Sequence, residues 1–320
     1  MGVWTWIVST LPVGALYSLP DPMSQMTTNP SHLCNVLVWN VQGAGSREFL
    51  HVLREHIHSH KPSIVAMVET RVSGPRAQNI CDLVGFRNNF RVEARGFQGG
   101  IWVLWNSDEL DIEVLTAKEQ FVMMKINPQG QLTWVLTIIY ASPQITTRDT
   151  LWPDLQQFAS DYHGPWLLAG DFNETATLEE RNHGGPEMLR RCQRFQSWID
   201  NTGLIDLGYS GCKFTWSRGL SAATRKEARL DRALCNVAWR MRFQEGTVRH
   251  LLRVCSDHSS LLISTKSPAH TVGSTRPFRF QTTWASYSQF EGLVHREWQC
   301  IRPTCRAEIT TTSAIHAAVE

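Results

Sequence analysis

The sequence predicts an α/β protein in which two packed, mixed β-sheets carry helices on their outer faces. Three observations lead there. Short apolar runs bounded by turn residues recur along the chain, at Val36–Asn40, Ile64–Glu69, Val135–Tyr140 and Trp166–Asp171, as buried strands do. Stretches of helical periodicity separate several of them, and tight turns join others, so parallel and antiparallel neighbours must coexist. Each run also ends in, or is preceded by, polar chemistry. Asn40, Glu69, Tyr140 and the pair Asp171 and Asn173 close four runs, and Asp257-His258 precedes Leu261–Ile263. Sites in α/β proteins gather where strand ends converge.

The first 31 residues are predicted to be a poorly ordered leader. Met1–Leu19 is apolar but lacks a positive start and carries Pro12, so a secretory segment is the alternative reading. Trp6 stands where a myristoylation motif needs Ser or Thr. Val36–Asn40 is the first strand, Gly43-Ala44-Gly45 turns it, and Arg47–Lys61 follows as a helix with Phe49, Leu50, Leu53 and Ile57 on one side. This unit imitates a dinucleotide fingerprint, with Glu69 at a fitting distance beyond. Glu48 at the sixth position would repel a pyrophosphate at the helix N-terminus, which argues against an oxidoreductase. His56 and His60 are four apart on that helix; with only Glu55 near them, they read as a solvated face.

Strands are predicted at 99–106, 112–115, 121–126 and 131–140, with Asn127-Pro128-Gln129-Gly130 as one of the turns. A helix over Asp149–Tyr162 leads into the run Trp166–Asp171. There Gly170 lets backbone come close. Asp171 and Asn173, two apart, leave the strand side by side while Phe172 turns to the core. On this stretch alone, an Asx turn closing an ordinary strand is the simpler account. Met188–Asn201 is the next helix, stopped by Gly203.

The chain has 320 residues, 42% of them hydrophobic, which suits a full core. A net charge of +2 means that any nucleic-acid footprint must be local. Of thirteen tryptophans, Trp102, Trp105, Trp134 and Trp166 read as core. Trp216 lies in a loop with Lys213 and Arg218 beside it, where it could stack a base or simply pack. Eight cysteines without a C-x-x-C pair offer no zinc site and no compact disulfide framework, so the expected compartment is reducing, nuclear or cytoplasmic. No membrane span and no obligate protein partner is expected.

The ordered motifs Trp39-Asn40, Val68-Glu69-Thr70, Ile139-Tyr140-Ala141, Gly170-Asp171-Phe172-Asn173, Phe214-Thr215-Trp216-Ser217, Arg229-Leu230-Asp231-Arg232 and Ser256-Asp257-His258 together resemble the endonuclease/exonuclease/phosphatase superfamily. They are most similar to the apurinic-type endonuclease domain of plant LINE-type retrotransposons. The resemblance covers roughly Cys34 to Ser264 and implies a four-layer α/β sandwich over 32–266. It further implies a Mg²⁺-dependent phosphodiesterase, with Mn²⁺ as a substitute, that nicks DNA to leave 3′-hydroxyl and 5′-phosphate ends. A phosphatase or phospholipase of the same fold, or an inactive DNA-binding fragment, is the alternative.

Glu69, an acid ending a buried strand, is the leading metal ligand, and position-by-position matching to the family adds help from Asn40 and Asp257. Asp171 is the candidate to accept a proton from the attacking water, Asn173 to hold the water or a phosphate oxygen, and His258 to stabilise phosphorane charge. Position-by-position matching to the family assigns Asp231 to orient His258 and Tyr140 to donate to a phosphate oxygen. Lys213, Trp216 and Arg218 are the candidate DNA contacts. Gln42 stands where some relatives carry an acid. Residues 267–320 are similar to the connector toward a reverse transcriptase, of which no Tyr-x-Asp-Asp motif occurs in the chain.

Overall fold

Alternation along each strand decides what the sheet faces meet. On the first strand, Val36 and Val38 point into a core that also holds Leu136, Ile138, Leu167 and Ala169, whereas Leu37 and Trp39 pack against Phe49 and Leu53 of a helix. Period-two patterning is thus apolar on both faces, as a sheet covered on both sides requires. The computed structural model describes residues 34–106, 110–128, 132–219, 221 and 224–265. The predicted leader and the segment from 267 onward lie outside them.

In chain order, β1 (Asn35–Asn40), α1 (Arg47–His60), β2 (Ile64–Val68), α2 (Gly74–Val84), β3 (Asn88–Val92) and β4 (Ile101–Trp105) come first. Next are β5 (Leu110–Lys118), β6 (Phe121–Pro128), β7 (Trp134–Tyr140), α3 (Ile145–Arg148), α4 (Leu151–Asp161) and β8 (Trp166–Asp171). A 3₁₀ turn at Leu178–Glu180 precedes α5 (Pro186–Asn201), β9 (Leu204–Asp206) and β10 (Ser210–Gly211). The described part closes with β11 (Trp216–Arg218), β12 (Lys226–Ala228), β13 (Asp231–Asn236), α6 (Val237–Arg242), β14 (Thr247–His250) and β15 (Leu261–Ser264).

One sheet runs β10-β14-β15-β1-β2-β4-β3 and the other β5-β6-β7-β8-β13-β9, with β11 and β12 as a separate hairpin. Both large sheets are mixed: β1/β2, β10/β14 and β7/β8 are parallel and the remaining pairs antiparallel. Their inner faces share one core. Helices α1 and α2 cover the outer face of the first sheet, and α4 and α5 that of the second through Leu151, Leu155, Phe195, Trp198 and Ile199. The result is the expected four-layer sandwich. Each fully buried Leu or Phe side chain in these layers contributes roughly 1.5–3 kcal/mol by leaving water.

Local chemistry sets the element ends. Ser46 caps α1 by accepting the N–H of Phe49 at 3.0 Å, and Lys61 closes it in the left-handed region at φ 43°. Gly170 has φ +140°, and a Cβ there would lie 2.1 Å from the Ile139 carbonyl oxygen, so β7 and β8 can approach only because this residue is glycine.

Several elements differ from their sequence reading. The helix expected over Asp149–Tyr162 is α4, with Pro153 in its first turn, where its missing N–H costs nothing, and the short α3 just before it was not foreseen. Helix α2 and strand β3 have no counterpart in the sequence reading. Asn127 and Pro128 belong to β6 rather than to a turn, and Gln129 and Gly130 lie outside the described residues. His56 is no solvated helix residue: its ring packs edge-on against Trp39 at 5.6 Å and stacks with His60 at 6.0 Å. Trp102, Trp134 and Trp166 are buried, as their strands require, while Trp105 is half-buried.

Candidate active site

Cross-strand register brings the polar strand ends together. In the second sheet Tyr140, Asp171 and Asp231 are direct neighbours across β7, β8 and β13. In the first sheet the ends of β1 and β2 deliver Asn40 and then Glu69, and the loop before β15 delivers Asp257 and His258. The two sets face each other where the inner sheet faces meet.

Asp171 is buried, and its carboxylate is fully engaged. Oδ1 accepts the backbone N–H of Asn173 at 2.9 Å, while Oδ2 accepts Nδ2 of Asn40 at 2.9 Å and Nδ2 of Asn173 at 3.1 Å. The bond from Asn173 is an Asx turn, so the simpler account of this stretch also holds; it is the turn that carries Asn173, at φ 50°, back over the carboxylate. Burial raises the Asp171 pKa to about 7; the neighbouring His258 opposes the rise and Asp231 adds to it.

His258 is buried with Nδ1 2.8 Å from Asp231 Oδ2 and Nε2 3.9 Å from Asp171 Oδ2. Burial works against its positive charge, yet the carboxylates of Asp231 and Asp171, and then Asp257, raise its pKa to about 9. Asp171, Asp231 and His258 are also the one group among the described residues whose ligand atoms, all within 4.8 Å, could jointly hold a metal ion. Asp231 is fixed from behind, because the Thr215 hydroxyl accepts the N–H groups of both Leu230 and Asp231, at 3.0 and 2.9 Å.

Glu69 sits just past β2 in the left-handed region, at φ 56°. Its Oε1 accepts Arg71 Nη2 at 2.8 Å, and the Tyr140 phenol lies close to the same carboxylate. Burial first, then the charges of Glu69 and Asp171, push the Tyr140 pKa upward, so this phenol stays protonated as a donor. Arg71 also donates to Gln42 Oε1.

Asp257 uses Oδ2 to accept the Trp216 indole N–H at 3.0 Å, while its Oδ1 is buried without a hydrogen-bond partner. Asp257 lines the same cleft as Glu69, and carboxylate oxygens are the donors that a hard divalent cation accepts.

These residues line an open cleft of about 720 Å³ that includes Glu69, Tyr140, Asp171, Asn173, Asp257 and His258. Trp216 and Arg218 also line it, but from the short strand β11 rather than a loop. Backbone pairing of that strand with Asp257 and Ser259 holds Trp216 against the site. Asn40 lies behind the lining, bonded to Asp171. Lys213 is exposed and outside the cleft lining, with its ammonium 5.4 Å over the Phe214 ring.

Four basic cleft residues escaped the sequence reading: Arg71, Arg181, His183 and Arg191. Arg71, two residues past Glu69, was within reach of that reading. The others arrive from the 3₁₀ turn, its following loop and α5, whose approach to β8 depends on tertiary packing. Burial and the adjacent Arg191 lower the pKa of Arg181.

A sandwich with this acid, amide and imidazole cluster at its joined strand ends places the chain among hydrolytic nucleases and phosphatases. The chain belongs to the Endonuclease/Exonuclease/phosphatase family, whose family model matches residues 37–258. Members of this fold use divalent metals. Solved structures agree on the fold. The endonuclease domain of TRAS1, a telomere-specific non-LTR retrotransposon, has a TM-score of 0.55 at 17% identity, covering 72% of this chain and 97% of that one. The AP endonuclease of Leishmania major gives 0.58 at 15% identity over 75% of this chain and 90% of that one. A 3′ phosphatase from Neisseria, bound to a product DNA hairpin, gives 0.53 at 19% over 72% and 98%. No curated protein matches the chain. Among the described residues, no helix is long and apolar enough to cross a membrane.

Proposed function

We propose that this protein is a Mg²⁺-dependent endonuclease of retrotransposon origin that nicks DNA and leaves 3′-hydroxyl and 5′-phosphate ends. The observation that carries the reading is the alignment of Asp171, His258 and Asp231 at the floor of a cleft whose walls supply Arg71, Arg181, Arg191 and Arg218. Guanidinium groups around a buried carboxylate suit a phosphodiester, because Arg binds phosphate oxygens through paired donors. Cys81, Cys192, Cys212, Cys235 and Cys255 are free thiols, which fits a nuclear or cytoplasmic protein.

Glu69 and Asp257, with Asn40 behind them, are the residues that would hold the cation. When bound, Mg²⁺ neutralises charge on the phosphate oxygens. The chain's own residues do the rest. Asp171, with a pKa raised toward neutrality by burial, takes a proton from water as the water oxygen bonds to phosphorus. Asn173 holds that water or a phosphate oxygen through its amide. His258, kept protonated by Asp231, donates from Nε2 to a phosphorane oxygen, and the Tyr140 hydroxyl donates to another. The bond from phosphorus to the sugar 3′ oxygen breaks on the opposite side, and that oxygen leaves with the bonding pair and is protonated.

The test is to incubate the protein with supercoiled plasmid and Mg²⁺, and in parallel with inositol phosphates and sphingomyelin. Nicked plasmid extended directly by a DNA polymerase without end-cleaning activity is the expected result. Nicks that extend only after 3′-phosphatase treatment, or turnover of the small substrates alone, would overturn the assignment.

A further inference from the structure

Arg148, the last residue of α3, is only 1% exposed and lies behind the cleft rather than in its lining. A cation so placed must be paired and hydrogen-bonded. Its Nη1 donates to the carbonyl oxygens of Ser142 at 2.6 Å and Pro143 at 3.2 Å, and its Nη2 donates to Glu174 Oε1 at 2.5 Å. Arg191 holds Glu174 from the other side, donating from Nε to Oε1 at 3.4 Å and from Nη2 to Oε2 at 3.1 Å. An ion pair of this kind can serve stability alone. The partners of Arg148 point further, because both stand beside Asn173.

Glu174 is the residue after Asn173. Ser142 and Pro143 follow Ala141, whose carbonyl accepts Nδ2 of Asn173 at 2.7 Å. Arg148 therefore grips the backbone that leaves Asn173 and also the loop that receives its side chain. Gln120 braces that loop too, accepting the Ser142 N–H at 2.7 Å and donating to Thr147 O at 2.8 Å. Asn173 needs such a hold. Its backbone lies in the left-handed region at φ 50°, which a non-glycine residue keeps only where its surroundings over-determine it. Its amide hydrogens go to Ala141 O and, at 3.1 Å, to Asp171 Oδ2. With both spent, Oδ1 is the amide atom that the cleft can use. A shift of Ala141 or of Glu174 would turn the amide and loosen it from Asp171.

We infer that Arg148 is a positioning residue, which fixes Asn173 against Asp171 by clamping the two segments from which Asn173 hangs. Its effect is on rate, since displacing a reacting group by about 1 Å can cost on the order of 10²-fold. Substrate binding is left alone, because Arg148 does not reach the cleft and Arg191 keeps its own fork on Glu174. Lysine at 148 would keep the charge opposite Glu174, but it lacks the planar fork that meets a carboxylate and two carbonyls at once.

The inference rests on the nuclease reading above, and a double-mutant cycle separates the two. Arg148→Lys, Asn173→Ala and the double variant are compared in the full chain by single-turnover nicking of supercoiled plasmid, plasmid affinity in metal-free buffer, and thermal midpoint. Arg148→Lys should nick about 10- to 100-fold more slowly, with affinity within about threefold of wild type. In the Asn173→Ala background the same change should alter the rate by less than about twofold, because nothing is left to position. A merely structural role would slow both backgrounds alike. Independently of turnover, the Asn173 side-chain amide hydrogens should exchange with solvent about tenfold faster in Arg148→Lys, as NMR of the metal-free protein reads. Glu174→Gln, which keeps an acceptor for both arginines, carries the same cycle if Arg148→Lys does not fold. Equal losses with and without Asn173, or wild-type nicking and amide exchange in the variant, overturn the positioning role and leave the nuclease standing. No nicking by the wild type overturns the nuclease and the positioning role together.

Discussion

Replacing Asp231 by Asn tests whether His258 works as a charged donor. Burial opposes the charge on His258, yet its pKa is held at about 9 rather than 6.5 by Asp231, Asp171 and Asp257, with Asp231 first among the three. That elevation corresponds to roughly 3 kcal/mol, at about 1.4 kcal/mol per tenfold change in proton affinity. Asp231 faces Nδ1 at 2.8 Å, and Coulomb's law at an effective dielectric of about 20 assigns roughly 6 kcal/mol to unit charges so placed. Asn keeps the size and a polar contact, so only part of this is lost. Even a quarter, about 1.5 kcal/mol, lowers the midpoint by about one pH unit.

The sign follows from the form required. If His258 acts protonated, activity falls as pH rises through its pKa, so the alkaline limb of the rate profile should move from about 9 to about 8 or lower. The acidic limb belongs to Asp171, whose elevation comes first from burial. It should stay near 7, because the variant weakens the opposing influences of Asp231 and His258 together. Turnover below both limbs' crossing should also drop by about 10²- to 10⁴-fold. The rate profile for nicking of supercoiled plasmid and an NMR titration of the His258 ring in metal-free protein read the two effects independently. An NMR midpoint and an alkaline limb that both stay at about 9 would refute the coupling.

Three further outcomes are expected. Nicking should stop with EDTA and return with Mg²⁺ or Mn²⁺; Glu69→Ala should lose most of it with an unchanged circular dichroism spectrum, and full activity of that variant at low Mg²⁺ would remove Glu69 from the site. Glu180 accepts from the buried guanidinium groups of Arg229 and Arg232, so Glu180→Ala should lower stability in urea by about 3–5 kcal/mol. A fragment spanning 31 to 267 should fold and retain nicking, and failure to obtain it soluble where the full chain is soluble would mean that the removed segments pack on the core.

The strand-end residues were legible because the signal is short-range. A buried strand reads as an apolar run, and an acid or amide at its end must be tolerated for a reason; Asn40, Glu69, Tyr140, Asp171 and His258 all announce themselves this way. Asp231 does not, since Arg229-Leu230-Asp231-Arg232 has no apolar run before it, and only its likeness to a family motif marked it. Its neighbours Arg229 and Arg232 turn inward to Glu180 and Asp206, a long-range pairing that no local pattern encodes. Trp216 was read as lying in a loop because its flanking residues are polar. In the folded chain Trp216 and its two following neighbours form a short strand paired with β12, the Ser217 N–H bonds the Asp257 carbonyl, and the indole N–H finds a carboxylate.

What the sequence hides is thus mostly the β9 edge of the second sheet together with the β11–β12 hairpin and the 3₁₀ turn, and the physical reason is charge. Strands β9 and β12 and the 3₁₀ turn carry Asp206, Glu227 and Glu180, residues that read as solvated when taken singly. Folding brings Glu180 and Asp206 to two buried arginines, and the pair of arginines brackets Asp231 in sequence. Each guanidinium is anchored twice, Arg229 and Arg232 both on Glu180 and both on Asp206. Buried ion pairs gain little net stability over apolar residues of the same shape, but they tolerate few alternative arrangements. Here that restriction falls on the backbone of Asp231. Asp231 must present Oδ2 to His258, and His258 must present Nε2 to the cleft; a backbone held on both sides by fixed guanidinium groups meets that demand where an apolar strand free to slip by one residue would turn the carboxylate to the opposite face.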